Sequence, residues 1–240
     1  MKTIGLLGGM SWESTILYYQ WLNEGVRERL GGLHSAKILM HSFDFSEIEQ
    51  YQVKGQWQAA GECLAGAAVS LEAAGAEMIL ICTNLMHKVA PLVSERIDVP
   101  LLHIADAAGR AISRQGLATV GLLGARDTME EDFYRQRLHD GFGIAVLIPE
   151  KEEREYVHRV IFEQLCRGQF TAAARTEYLA IINGLQAKGA QGVVLGCTEI
   201  PLLIRQEDVA LPLFNTTALH VQSALDHAFA TDSTAAALIS

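Results

Sequence analysis

Features that mark secreted, disulfide-bonded or membrane-spanning proteins are missing from the sequence. No run of about 18 apolar residues is present, as a membrane helix requires, and the apolar stretch of "MKTIGLLGGM" is too short for a secretory signal. The four cysteines are widely spaced and form no CxxC pair, so neither a disulfide scaffold nor a structural zinc site is expected. They are Cys63, Cys82, Cys166 and Cys197. The sequence favours a cytoplasmic protein with reduced thiols.

Positive charge is also scarce. Lysine and arginine total 19 against 28 aspartates and glutamates, which gives a net charge of −9. This balance argues against a nucleic acid or an anionic membrane as the main partner, but a local site can still bind a small anion. Half of the 240 residues are hydrophobic and a fifth are charged, as in ordinary globular proteins, and the length suits one large or two small domains.

What the sequence does contain is an internal repeat. The stretch "GAEMILICTN" from Gly75 matches "GAQGVVLGCT" from Gly189 without a gap, at an offset of 114 residues. A second pair, "TIGLLGGMSWES" from Thr3 and "TVGLLGARDTME" from Thr119, matches at an offset of 116. Two matches in the same order at nearly the same offset indicate a duplication.

Each copy alternates apolar strands with helical stretches, which predicts an α/β fold. We expect two similar parallel sheets, one per copy, covered by helices on both faces and related by pseudo-twofold symmetry about a cleft. The strands are predicted near 3–8, 36–41, 78–82, 100–104, 118–123, 143–148, 191–196 and 211–214.

The domain boundaries follow from the repeat. The first domain is predicted to comprise 1–104 together with 211–240, because the last strand and helix come after the second copy and are expected to return. The second domain is predicted at 105–210. The tail "TDSTAAALIS" has no packing pattern and is expected to be loose.

The first long helix is predicted from about residue 11 to residue 30, with Ser11 as its N-cap. Its apolar residues recur at helical spacing and share one face. They are Trp12, Ile16, Tyr19, Val26 and Leu30.

In open parallel sheets, ligands bind beyond the carboxyl ends of the strands. The gap-free alignment places Thr83 opposite Cys197, and Cys82 opposite Gly196. Because side chains alternate along a strand, Cys82 is expected to point into the packing behind the sheet if Thr83 faces the ligand. Cys197 precedes Thr198 and an expected helix start, where amide dipoles favour a thiolate, so a lowered thiol pKa is expected.

Four segments together resemble the aspartate/glutamate racemase family over nearly the whole chain. They are "GLLGGMSWEST" (5–15), "TNLMH" (83–87), "GLLGARDTMEEDFY" (121–134) and "GCTEIPLLI" (196–204). The resemblance implies two α/β domains with the active site in the cleft between them, a homodimer, and inversion of an acidic amino acid. It also implies that neither pyridoxal phosphate nor a metal takes part, and that two cysteines act on opposite faces of the α-carbon.

The sequence departs from the family pattern at the first catalytic element. The family has Cys-Asn-Thr where this chain has Thr83, Asn84 and Leu85. The resemblance therefore implies that Cys197 is the catalytic base and that the Thr83 hydroxyl serves the opposite face. It is closest to the subset of racemases that start from L-aspartate or L-glutamate.

The remaining site residues also come from the resemblance. Asn84, Leu85 and Thr198 are expected to contact the α-carboxylate or amino group of the substrate. Glu199 is expected either to orient Thr198 or the substrate amine, or to be an ordinary acidic residue in the first turn of a helix.

Further residues are expected to bind the anionic groups of the substrate. Met10 and Thr128 lie in the two glycine-containing turns, where backbone amides can hold an anion. Gln52 occupies a position where relatives often carry a cation for the distal carboxylate, and Arg126 and Arg167 are the nominal substitutes. The nearby His87 and His103 are expected to be core histidines without a catalytic role.

Other functions compete with the racemase. The same scaffold could carry a decarboxylase or a maleate-type isomerase acting on a small dicarboxylate. A nucleotide-dependent enzyme is disfavoured because "GLLGGMS" is not a G-x-G-x-x-G fingerprint. A ligand-binding protein without catalysis would leave the surroundings of Cys197 accidental.

Overall fold

The computed structural model describes residues 1–230, and the chain divides into two compact units. The first comprises Met1–Ile104 and the chain from His220 onward, and the second comprises Ala105–Leu219. Each contains one four-stranded parallel sheet with flanking helices, which confirms the predicted α/β class. The predicted loose tail at 231–240 lies outside the described residues. In the part of the chain that the structure describes, no helix is long and apolar enough to cross a membrane.

The first unit is built on a sheet with the strand order β2-β1-β3-β4. Its strands are β1 (Ile4–Gly8), β2 (Ile38–Ser42), β3 (Met78–Ile81) and β4 (Leu101–Leu102). Its helices are α1 (Trp12–Leu30), α2 (Phe45–Val53), α3 (Trp57–Ala73) and α4 (Ala90–Ser94). The central strands β1 and β3 are buried along their whole length, as their continuous apolar runs require.

The second unit repeats this order as β6-β5-β7-β8. Its strands are β5 (Thr119–Gly124), β6 (Ala145–Leu147), β7 (Val193–Gly196) and β8 (Leu213–Asn215). The remaining helices of the chain are α5 (Ile104–Arg114), α6 (Arg126–Glu130), α7 (Asp132–Phe142), α8 (Lys151–Glu163), α9 (Ala172–Ala187), α10 (Ile200–Leu203) and α11 (Thr216–Phe229). The last of these begins in the second unit and continues in the first.

The strand registers confirm the alignment of the two sequence copies. Gly5 pairs with Ile79 in the first sheet, and Gly121 pairs with Val193 in the second. These pairs are related by the offsets of 116 and 114 that the sequence matches gave. The ends of β3 and β7 are therefore equivalent positions of a duplicated unit.

The predicted boundary before the last strand is wrong. Strand β8 pairs with β7, with Leu213 opposite Val193, so it belongs to the second sheet. The first unit resumes only at His220, within α11. The duplication explains the result, because β8 holds the place beside β7 that β4 holds beside β3.

The predicted apolar face of α1 is not its buried face. The side chains that enter the core are Tyr18, Leu22 and Val26, whereas the other members of the predicted face are exposed. These exposed residues are Trp12, Ile16, Tyr19 and Leu30. The rotation of the helix is set at its first turn, where the Gly9 N–H donates to Thr15 Oγ1 at 2.9 Å.

Cys82 lies in the core, as strand alternation predicted. It is fully buried in the cluster that β1 and β3 form with α1 and α11, among Tyr18, Leu22 and Leu80. The neighbouring Ile81 faces the opposite cluster, which covers α3 and α4. Burial raises the pKa of the Cys82 thiol well above its usual range, so this side chain is an uncharged packing element.

We expect the substitution Cys82→Ser to lower the free energy of unfolding by about 1–3 kcal/mol, because it places a hydroxyl among apolar side chains. Urea unfolding of parent and variant measures the difference. Cys63→Ser is the matched control, since Cys63 is only half-buried and should cost less. Equal losses in the two variants would contradict the buried position of Cys82.

Candidate active site

Polar residues singled out in the sequence lie at the carboxyl ends of the central strands in each sheet. In the first sheet β2 and β3 lie on either side of β1, so the topological switch point of the sheet lies between β1 and β3. In the second sheet it lies between β5 and β7. Crevices at the carboxyl ends of such strand pairs are the usual ligand sites of α/β sheets.

The turn after β1 is formed by Gly9, which has a φ of +86°. A Cβ at this position would lie 2.3 Å from the backbone oxygen of Phe43, so only glycine fits. Met10 follows and is buried. Because the Gly9 N–H already bonds to Thr15 Oγ1, that amide is not available to the anion expected near Met10.

Thr83 lies two residues beyond the end of β3 and is half-buried. Its carbonyl oxygen lies 2.8 Å from Nδ1 of His87. Asn84 is buried and precedes a short 3-10 turn that Leu85, itself half-buried, begins. The three residues that match the first catalytic element of the racemases therefore surround the end of this central strand.

Gln52 reaches the same strand end from α2. Its Nε2 donates to Sδ of Met86 at 3.1 Å, and Met86 lies in the 3-10 turn after Asn84. The site of the first unit thus receives an amide where relatives are expected to provide a cation.

Cys197 and Glu199 are in direct contact after the end of β7. The half-buried Cys197 donates from Sγ to Oε2 of Glu199 at 3.0 Å. Thr198 donates from Oγ1 to the same oxygen at 2.8 Å, and Glu199 is only 3% exposed. One buried carboxylate oxygen therefore binds both a thiol and a hydroxyl.

The expected lowering of the thiol pKa is wrong. Burial, and then the negative charge of Glu199, raise the pKa of Cys197 well above its usual range. The backbone amide of Glu199 opposes this rise but does not offset it. Helix α10 has only four residues, so its dipole is too short to outweigh the adjacent carboxylate. The resting group is consequently a neutral thiol with an acceptor beside it.

Thr128 lies against the glycines at the ends of β5 and β7. A Cβ on Gly124 or Gly196 would lie 3.3 or 3.6 Å from Thr128 Cγ2. The side chain is fully buried, and within residues 1–230 its Oγ1 has no hydrogen-bond partner. A buried hydroxyl without a partner costs free energy, which a bound ligand or water can recover.

His158 is a feature of this site that sequence reasoning missed. Located on α8, it accepts a hydrogen bond at Nδ1 from the Arg126 N–H at 3.2 Å. Burial and the positive charge of Arg126 lower its pKa, which favours the neutral ring that can accept. The contact joins residues 32 positions apart, so no local sequence pattern predicts it.

Arg126 and Arg167 were the nominal substitutes for the cation that relatives often carry at the position of Gln52. The side chains of Arg126 and Arg167 are exposed and form no ion pair with any residue of the described chain. Over the same 1–230 range, no group of three or more His, Cys, Asp or Glu side chains could hold a metal ion. His87 and His103 are buried, as the sequence predicted.

Comparisons with known proteins support the resemblance seen in the sequence. The profile of the Asp/Glu/Hydantoin racemase family matches residues 7–224. A proposed Asp/Glu racemase from Yersinia pestis is 52% identical, with a TM-score of 0.91, over 96% of this chain and 100% of the other. An aspartate racemase homologue from Pyrococcus horikoshii is 35% identical, with a TM-score of 0.82, over 95% and 99%. The Picrophilus torridus aspartate racemase, at 20% identity, shares the fold with a TM-score of 0.71 over 94% and 93%.

We expect Glu199→Gln to lower the pKa of Cys197, because a neutral amide removes the negative charge that disfavours the thiolate. The rate of Cys197 alkylation by iodoacetamide, followed against pH by peptide mass spectrometry, measures this pKa. Its rising limb should move to lower pH than in the parent. Thr198→Val is the control, since it removes only the neutral donor to the same carboxylate. Coincident profiles for Glu199→Gln and the parent would show that Glu199 does not govern the thiol.

Proposed function

The chain belongs to the Asp/Glu/Hydantoin racemase family, and we propose that it inverts the α-carbon of L-aspartate or L-glutamate without a cofactor. Aspartate and glutamate racemases, its homologues, are isomerases. The observation that carries the proposal is the hydrogen bond from the Cys197 thiol to Glu199 at the end of a central strand. A hydroxyl, Thr83, occupies the equivalent strand end of the duplicated unit.

In the proposed reaction, Glu199 accepts the Sγ proton of Cys197 along the existing hydrogen bond. The thiolate then removes the α-proton of the L substrate, so that a new S–H bond forms as the C–H bond breaks. The electron pair of the broken bond is delocalised into the α-carboxylate of the substrate. A thiol whose pKa is raised in the resting protein makes a strong base once Glu199 holds its proton.

Thr83 would return a proton to the opposite face. Its hydroxyl proton passes to the α-carbon, solvent replaces that proton on oxygen, and Glu199 releases to solvent the proton that it took from Cys197. An alcohol is a far weaker acid than a thiol, so Thr83 cannot serve as the resting base, although it can donate. At saturating substrate we therefore expect a faster rate from L than from D. The equilibrium constant of a racemisation remains one, so kcat/KM is equal in the two directions and the asymmetry is confined to kcat and KM.

Gln52 fits a contact with the distal carboxylate of the substrate. In the described chain its amide donates to Met86 Sδ, and a thioether is a weak acceptor. A carboxylate oxygen is a stronger acceptor, so a substrate could displace Met86 from this amide.

The other substrate contacts stay predictions that local geometry supports to different degrees. Thr128 offers a buried hydroxyl in need of a partner. Thr198 is bonded to Glu199 and can orient it. Asn84, Leu85 and Met10 lie at the strand ends of the first unit. The homodimer, the cytoplasmic location and the independence from pyridoxal phosphate and metals are likewise predictions from the sequence.

The test of the proposal is exchange of the substrate α-proton in heavy water. The parent should incorporate deuterium at the α-carbon of L-aspartate or L-glutamate and form the D enantiomer. We expect Cys197→Ser to reduce both by at least about 100-fold, because the general base is lost. The core variant Cys82→Ser should retain exchange and serves as the control. Loss of carbon dioxide, or isomerisation of maleate without α-proton exchange, would instead support the alternative functions.

Thr83→Cys should raise the initial rate from D-aspartate or D-glutamate relative to the rate from L. The reason is that a second thiol can ionise and remove a proton from the D enantiomer. Polarimetry or chiral chromatography at saturating concentrations of each enantiomer gives both rates. Thr83→Ser keeps a hydroxyl and should leave the L-to-D ratio near that of the parent. A ratio unchanged by Thr83→Cys would remove Thr83 from the proposed mechanism.

A further inference from the structure

We propose that His87 is a positioning residue: its neutral ring holds the backbone of Thr83 and thereby aims the hydroxyl that the proposed function requires. The inference rests on that proposed function. It also uses contacts within the first unit that the motif match did not supply.

The two ring nitrogens of His87 have assigned roles. Nδ1 lies 2.8 Å from the carbonyl oxygen of Thr83, and a carbonyl can only accept, so Nδ1 carries the proton. Nε2 accepts from the Ile104 N–H at 3.2 Å, so it carries none. The ring is therefore neutral and in one tautomer. It connects Thr83, two residues beyond β3, to Ile104, which begins α5.

The position of Thr83 depends on this contact because regular pairing ends just before it. The Cys82 N–H donates to the carbonyl of Leu7, and further along this segment the His87 N–H donates to the Asn84 carbonyl. Between those two bonds, the carbonyl of Thr83 is held by the His87 ring. Loss of the ring bond would let the peptide unit rotate and move the hydroxyl.

The His87 ring is itself held by a buried cluster. It packs against His103, with ring centroids 4.4 Å apart, and lies 5.8 Å from the ring of His220. Nε2 of His220 lies 2.7 Å from the Leu102 carbonyl, and its Nδ1 lies 2.9 Å from the Tyr18 hydroxyl. The Leu102 carbonyl can only accept, so Nε2 of His220 carries a proton. Helices α1 and α11 thus anchor the ring that positions Thr83.

The experiment separates reprotonation from proton abstraction. With L substrate in heavy water, each deuterium placed on the opposite face gives a D product, and each returned to the original face gives a labelled L substrate. The ratio of racemisation to exchange in the L pool reports how well Thr83 delivers its proton. A general loss of folded protein lowers both rates and leaves the ratio unchanged.

We expect His87→Leu to lower this ratio about tenfold, since small displacements of a catalytic group cost between one and two orders of magnitude. His87→Asn places an amide donor near the former Nδ1 and should restore most of the ratio. His87→Gln keeps an acceptor for Ile104 but no donor near Thr83, so it should behave like His87→Leu. If His87→Leu fails to fold, the Asn and Gln pair decides.

Tyr18→Phe is the matched control, because it removes one hydrogen bond from the same cluster without touching Thr83. It should lower the melting temperature and preserve the ratio. An unchanged ratio in both His87→Leu and His87→Gln, alongside a changed ratio in Thr83→Ala, would overturn the role of His87 and leave the proposed function standing. Absence of α-proton exchange in the parent would overturn both.

Discussion

Parallel pairing of two fully buried strands is the constraint on which each unit depends. Strands β1 and β3, and likewise β5 and β7, have helices on both faces, so their backbone groups must pair with each other. Beyond the last strand residue, backbone groups no longer have a neighbouring strand with which to pair. At these carboxyl ends main-chain polar groups are satisfied by side chains: Thr15 Oγ1 accepts from the Gly9 N–H, and the His87 ring contacts the Thr83 carbonyl. Polar atoms at these same carboxyl ends are available to contact a ligand.

The two strand ends carry different chemistry on equivalent backbones. At the end of β7 a carboxylate lies against a thiol and can exchange a proton with it. At the end of β3 the corresponding contact is between a histidine ring and a main-chain carbonyl, which fixes position but transfers no charge. These different contacts support the proposal that the two half-steps of the reaction are unequal.

Sequence reasoning located all eight strands and the four strand ends that bear polar residues, because buried apolar runs and glycine turns are local signals. It also placed Cys82 in the core, since alternation along a strand is a short-range rule. It failed where the outcome depended on contacts distant in sequence. The rotation of α1 is set by Thr15 against the turn after β1, and the turn at Arg126 is held by His158. The pKa of Cys197 was misjudged for a different reason: the expectation relied on the amide dipoles at a helix start and neglected the charge of Glu199 two residues away.

The split of the first unit between the two ends of the chain affects its biosynthesis. Its core needs Val221, Ala224 and Leu225 from α11 to cover the face of the sheet that contains Cys82. These residues leave the ribosome only after every strand of the second unit has been made. The earlier-made segment therefore keeps apolar surface uncovered until the last described helix has been synthesised, and such surface promotes aggregation.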